Sequence, residues 1–337
     1  MIIPFIIAAI SMGIVYLYGC IGETIIEKGG NLNLGIPGIM CLGVLGGAVG
    51  VNVYCSIFGA TNISTPGILA VSIFFSFMFA SLGGLIYAVL TVSLQANQNV
   101  TGLTLTTFGV GLMKFLGSNM NRNYFTNAAK AIKKLFPNVL EMGFNHNASS
   151  KFAQVLIKIG EAMANIFLSY GFLVYLAFIL AIATGLFIRY TRCGLFLRSI
   201  GESPKTADAQ GINVTVYKYL AILIGSGIAG LGGLYYVMDR SGGTTFVEAS
   251  IEAFGWLSVA LVIFSMWKPW VGALGSILFG GLYVLPQYIG ISNIQIKLFD
   301  LLPYVVTVLV LILTSILDAK SSQPPASLGV NYYREDR

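Results

Sequence analysis

The chain is predicted to be an all-α membrane protein, a polytopic bundle of about eight or nine transmembrane helices with one short capped helix between two spans. Three observations predict it. Of 337 residues, 56% are hydrophobic and only 9% are charged, whereas soluble domains carry about 25% charged residues. Too few charges remain to solvate a water-facing surface, so most of the surface must meet lipid or other helices. The hydrophobicity is also segmented, in apolar runs near the roughly 20 residues that a span requires. Finally, the 40 glycines are scattered through these runs, where they let helix backbones approach closely in lipid.

In chain order the predicted spans are 1–21, 38–60, 66–92, 100–118, 166–190, 217–238, 251–267 with its flanks, and 298–318. The first lacks a basic leading region and a small-x-small cleavage site, so it is taken as a retained span, not a signal peptide. A ninth stretch, 270–290, carries Gly272, Gly275, Gly280 and Gly281 and ends near Pro286. It either crosses or is broken. Small-x-x-x-small pairs at Ser226/Gly230, Ala229/Gly233 and Gly272/Ser276/Gly280 predict close helix packing, within the chain or against another subunit.

The polar stretches between spans carry the remaining information. Residues 22–38 place Asn31, Asn33 and Pro37 among glycines. Unwound backbone at a membrane border is buried in protein or lines a wet cavity, where Asn31 and Asn33 would satisfy that backbone or a polar solute; a plain turn fits equally. Gln95, Asn97, Gln98 and Asn99 form a second cluster of uncharged amides. These suit hydrogen bonding to an uncharged polar solute, and equally suit a turn.

In the loop 192–216, Ser203 can cap a helix, Pro204 fits its first position and Gly211 its left-handed stop. Those signals predict a helix over about 204–210, able to dock on a soluble partner or to lie solvated. Segment 119–165 sets Ile132, Leu135, Phe136 and Leu140 beside Lys130, Lys133 and Lys134, as in an interfacial helix with snorkelling lysines or an outer docking surface. Residues 1–318 are expected to form one membrane domain and 319–337 a polar extended tail.

Several chemistries are disfavoured. No Walker A motif occurs, so ATP phosphates have no usual cradle here. His146 is the single histidine and lies in an Asn-rich loop, which argues against zinc-protease and Ser-His-Asp machinery. Ser265 to Lys268 matches S-x-x-K without the companion motifs. Cys20, Cys41 and Cys55 lie in or beside apolar runs and Cys193 in a basic loop, with no C-x-x-C spacing, so neither a metal site nor a disulfide framework is expected. No cofactor is expected. Lys114 is taken as the main deep ionisable residue, without an evident partner. The formal net charge of +6 is dispersed, which suits a membrane surface and not a nucleic-acid face.

Charge does not orient the chain. The loop 189–218 carries Arg189, Arg192, Arg198, Lys205 and Lys218. Segment 119–165 carries Arg122, Lys130, Lys133, Lys134, Lys151 and Lys158, and a single span separates the two. The positive-inside rule cannot place both in the cytoplasm.

A set of motifs then resembles a known group. EKGGNLNLGIPGIM at 27–40, SLQANQNVTGL at 93–103, GLFLRSIGESPKTADAQGINV at 194–214, GSGIAGLGG at 225–233, WKPWVGALGSILFG at 267–280 and LPYVVTVLV at 302–310 occur in the order used by ABC importer permeases of the branched-chain amino acid, ribose and nucleoside group. The chain looks most like the shorter of two paired permeases in nucleoside importers served by a basic-membrane-protein-type lipoprotein.

The resemblance implies a bacterial plasma-membrane permease with no enzymatic centre of its own. Its implied partners are a cytoplasmic cassette ATPase, a second permease chain and an extracytoplasmic solute-binding lipoprotein. It puts the coupling segment within 194–211, hence in the cytoplasm, with Gly201, Glu202, Ser203, Pro204, Ala207 and Gly211 as coupling residues and 119–165 outside. Asn31, Asn33, Asn97 and Asn99 are the candidates for the path of a small polar solute. A ribose, galactose or branched-chain amino acid permease stays open as an alternative, as does a stand-alone secondary transporter or channel. Two departures stand out: Ser203 replaces the usual Asn before the coupling proline, and Pro37 stands where an acidic residue is common.

Overall fold

The computed structural model describes residues 2–59, 64–117, 120, 122–135, 170–243, 247–289, 301–316 and 323–333. Twelve α-helices run in chain order: α1 Ile2–Lys28, α2 Ile36–Phe58, α3 Thr65–Ala88, α4 Gln98–Gly117, α5 Arg122–Leu135, α6 Phe172–Tyr190, α7 Arg192–Glu202, α8 Pro204–Ala209, α9 Val214–Tyr235, α10 Glu248–Phe264, α11 Pro269–Ile289 and α12 Leu302–Ile316. Single π-helical turns extend α3 to Ser93 and α9 to Arg240. Among the described residues there is no strand.

Among the described residues, seven helices are long and apolar enough to cross a membrane: α1, α2, α3 and α9 with their extensions, α4, α6 and α11. The apolar α10 and α12 add 17 and 15 residues. The ninth stretch forms one unbroken helix over Pro269–Ile289, with Pro286 inside it. The first span is longer than its apolar run suggests. Instead of ending at residue 21, α1 continues to Lys28 and carries Glu23 and Glu27 with it.

The bundle is built around α1, α2 and α9. Helix α1 packs on α6, α9, α10 and α11, and α2 packs on α3, α4, α9 and α10. The small-residue faces are used within the chain. A Cβ at Gly43 would overlap the Gly230 backbone, and one at Gly280 would overlap the Ala9 carbonyl. In lipid, where burial of apolar surface drives little helix association, such close approach maximises dispersion contacts.

Helix α5 confirms a helix beside Lys130 but corrects its surroundings. Phe125, Ala128, Ala129 and Ile132 are buried, and α5 packs on α2, α3 and the 236–240 turn. Thr126 Oγ1 donates to the Gly243 carbonyl at 3.2 Å. Phe136, Leu140 and His146 lie outside the described residues, as does most of 119–165.

Because successive spans alternate in direction, one end of the bundle collects residues 29–35, 89–97, 191–213, 265–268 and 323–333. Helix α5, the 236–243 turn and the start of α10 lie at the other. Of the two basic segments that charge could not order, the loop 189–218 and the described part of the other, α5, therefore sit at opposite ends.

Candidate functional site

The end that gathers the loops is polar and densely cross-linked. Its first part is the turn between α1 and α2. Glu23 and Glu27, one helical turn apart, are buried to 0% and 2% exposure. The Asn33 amide donates to Glu23 Oε1 at 3.1 Å, and the Trp267 indole donates to Glu27 Oε2. Burying a carboxyl group is costly without such donors. Trp267 reaches inward from a tight turn in which Met266 and Trp267 both take left-handed φ, +53° and +55°. Such backbone is rare for bulky residues and persists only where packing over-determines it.

The expectation that Lys114 is the deep charge is therefore corrected. It lies exposed in the last turn of α4, whereas Glu23, Glu27 and Lys218 are buried. Sequence reading missed both glutamates because it closed the first span at residue 21. Their i, i+4 spacing puts both on one helix face but does not announce burial.

The two amide clusters meet. Gln98 Oε1 accepts from the Leu32 amide at 2.7 Å. The Tyr87 hydroxyl donates to the Leu32 carbonyl at 2.6 Å, and Thr106 Oγ1 donates to that of Leu34 at 2.9 Å. Asn33 Oδ1 accepts from the Gly35 amide at 2.9 Å, closing a tight Asx-type turn.

Asn31 and Asn33 are both buried. Both polar atoms of the Asn31 side chain, and Nδ2 of Asn33, have no hydrogen-bond partner among the described residues. Asn97 and Asn99 are exposed at the head of α4, where Asn97 Oδ1 accepts from the Val100 amide at 3.1 Å. Gln98, not its asparagine neighbours, ties the clusters together.

The second part is α7–α8. Thr191 caps α7 by accepting from the Gly194 amide at 3.0 Å. Ser203 Oγ accepts from the Thr206 amide at 3.4 Å at the start of α8, with Pro204 first in the helix. Gly211 takes φ +83° after its end. All three local signals thus act where the sequence placed them, although α8 ends at Ala209.

Ala207 is buried with Ile200 and Val214 in a small apolar cluster beneath α8. Gly201 is buried, and a Cβ there would overlap the Lys28 carbonyl. The α7–α8 corner therefore rests directly on the C-terminal end of α1, next to its buried glutamates. Glu202 is exposed.

Ser265 and Lys268 show no catalytic geometry: Ser265 Oγ donates to the Val262 carbonyl at 2.9 Å, and Lys268 is exposed. Cys20, Cys41 and Cys55 are free and buried, and Cys193 is free and exposed. Among the described residues no three potential ligands group as a metal site.

Comparison with known proteins gives this arrangement a context. Residues 5–311 match the family described as the branched-chain amino acid transport system permease component. The chain belongs to this permease family. Among its relatives, the nucleoside ABC transporter permease protein NupC of Lactococcus lactis subsp. cremoris is 30% identical over 94% of this chain and 93% of its own length. The guanosine ABC transporter permease protein NupQ of Bacillus subtilis is 27% identical over 94% and 92%. The provisionally assigned glucose ABC transporter permease protein TsgC13 of Haloferax volcanii is 32% identical over 81% and 74%. No solved structure matches. The permease is thus a multi-pass plasma-membrane subunit of an ABC importer, and its work is translocation in concert with other subunits.

Proposed function

We propose that the permease carries nucleosides inward, driven by a separate cassette ATPase that grips α8 from the cytoplasm. The supporting observation is the α7–α8 corner. It is a capped six-residue helix between two spans, set through Gly201 on the end of α1. Gly201, Glu202, Ser203, Pro204, Ala207 and Gly211 form this coupling element. Closure of the ATPase on ATP would shift α8, and the close Gly201–Lys28 packing would pass that shift to α1. The energetic term is the partner's differential affinity for two permease states.

A second permease chain would complete the pathway, and an extracytoplasmic binding lipoprotein would deliver solute at the α5 end, within the 119–165 segment that faces outside. Residues 1–318 form the membrane domain on this reading, and the tail 319–337 belongs to the cytoplasmic end.

The nucleoside assignment is supported by the names of two relatives that align over more than nine-tenths of both chains. It is also supported by α4. The outward faces of α3 and α6 are almost wholly aliphatic and aromatic within the bilayer, with Phe74, Leu82 and Ile86 on one and Ile179, Ile182 and Leu186 on the other. That of α4 instead continues from Asn97 and Asn99 through Thr104, Thr107 and Lys114, interleaved with Phe108 and Phe115. Polar side chains on a spanning helix face a wet cavity or another subunit, and rings beside hydroxyls suit a base and a sugar. Asn97 and Asn99 then meet solute at the inner mouth, while Asn31 and Asn33 meet it only when the gate opens.

A glucose permease is the competing reading, raised by TsgC13. Uptake of a labelled nucleoside by cells carrying the complete transporter should be competed by unlabelled nucleosides, and not by glucose, ribose or leucine. Competition by a sugar or an amino acid alone would overturn the nucleoside assignment. Deleting 203–210 should abolish uptake while the protein still reaches the membrane, and undiminished uptake would refute the coupling role.

A further inference from the structure

We infer that residues 325–332 are a clasp that positions the coupling element against the inner ends of α1 and α4, with Ser327, Asn331 and Tyr332 as its positioning residues. This rests on the coupling role proposed for α7–α8. The tail reads in sequence as a polar extended end, yet residues 325–332 lie across the inner end of the bundle and join parts of the chain that are otherwise far apart.

Three attachments carry the inference. At α7, the Ser327 amide donates to the Gly201 carbonyl at 2.9 Å. The Ser327 hydroxyl lies 2.6 Å from that same oxygen and 3.2 Å from the Ile200 carbonyl. These carbonyls close the last turn of α7, where helical acceptors are left over. Beside them, Gly30 takes φ +82°, and a Cβ there would stand 2.7 Å from Ser327 Oγ. The Gly329 amide donates to the Gly30 carbonyl at 3.3 Å. Ser327 thus sits wedged between the coupling corner and the turn that follows α1.

At the foot of α4, Asn331 Nδ2 donates to the Gln95 and Ala96 carbonyls at 2.6 and 3.2 Å. Its Oδ1 accepts from Gln98 Nε2 at 3.0 Å. Every polar atom of this amide is engaged, and Gln98 passes the connection on to Leu32. At α8, the Tyr332 hydroxyl donates to Asp208 Oδ2 at 2.8 Å. Its ring joins the small apolar cluster of Ile200, Ala207 and Val214 beneath the helix.

The consequence is a transverse link. Along the chain, α8 leads only to α7 and α9, and among the described helices these two are its main packing neighbours. Through Tyr332 and Asn331, its movement also reaches the 95–98 turn and so α4, the helix with the polar outward face. Without the clasp, α8 can still be gripped and ATP can still be hydrolysed, but less of the displacement reaches the pathway.

The test uses the complete transporter, reconstituted in lipid vesicles with its ATPase, second permease and binding protein. Nucleoside transported is measured per ATP hydrolysed. Asn331→Ala removes two donors and one acceptor, and Tyr332→Phe removes only the hydroxyl. Each should lower the transport-to-hydrolysis ratio about fivefold or more, a typical size for a coupling between sites, with hydrolysis near the native rate. Asp208→Asn preserves an acceptor for Tyr332 and should keep the native ratio, whereas Asp208→Ala should behave like Tyr332→Phe.

The deletion of 203–210 serves as reference. If it abolishes transport while Tyr332→Phe and Asn331→Ala keep the native ratio, the clasp is refuted and the coupling role stands. If the deletion leaves transport intact, the coupling role fails first and the clasp with it.

Discussion

Gly43 and Gly230 set how closely α2 and α9 approach, because a methyl group at either would meet backbone or the Ala80 methyl, neither able to swing aside. Gly43→Ala should therefore lower thermal stability in detergent by the equivalent of about 1–3 kcal/mol, the usual cost of overpacking. An unchanged melting temperature would show that the helices can separate freely. The Trp267–Glu27 pair fails differently. Trp267→Phe keeps a ring but removes the donor from a buried carboxyl group, which costs about 1–3 kcal/mol. Glu27→Gln should be milder, since its amide oxygen still accepts from the indole. A stability ranking with Glu27→Gln below Trp267→Phe would contradict this assignment. Neither glutamate was legible in the sequence as a buried group. The indole that satisfies Glu27 stands 240 residues away, and no local pattern announces a pairing at that separation.

Helix α8 was legible because its instructions are local. Ser203, Pro204 and Gly211 act within a few bonds of where they stand, and the structure uses each in the expected geometry. A helix of six residues is too short to be stable alone, so its cap and its floor decide whether it exists. Ser203→Ala removes the acceptor for the Thr206 amide and should destabilise α8 by about 1 kcal/mol, whereas Ser203→Asn retains a cap. Uptake at limiting ATPase concentration should fall for the alanine variant and be kept by the asparagine variant. Equal uptake by both would show that docking itself folds α8. The end of α1 was not legible for the opposite reason. Glu23, Glu27 and Lys28 look like a polar exit from the membrane, and only the surrounding helices make that turn an interior one. The tail fell outside sequence reading too, since its partners at 30, 95–98, 201 and 208 are set by topology and not by spacing.

For the whole molecule, alternation of spans does what charge counting could not. Among the described residues α6 is the span between α5 and α8, which lie at opposite ends of the bundle, so one of these two basic elements must face outward. The end bearing α8 also receives the 28–35, 89–97 and 265–268 turns and residues 323–333: the tail bonds to Gly30, Gln95 and Ala96, and Trp267 bonds to Glu27, a cross-linked surface suited to a pressing partner. Placing that end in the cytoplasm follows from the coupling role, and the chain carries its own probe for it. Cys193 is the exposed cysteine at that end, while Cys20, Cys41 and Cys55 are buried at 1%, 0% and 3% exposure. A membrane-impermeant maleimide should leave the native protein unlabelled in intact cells and modify Cys193 once the membrane is opened. With Cys193 replaced by serine and Asn127→Cys placed on the exposed face of α5, labelling should occur from outside without permeabilisation. The reverse pattern would invert the molecule in the membrane. It would place α8 out of reach of any ATP-driven partner, and the coupling role would fall with it, because the described residues set the two probes at opposite ends of α6.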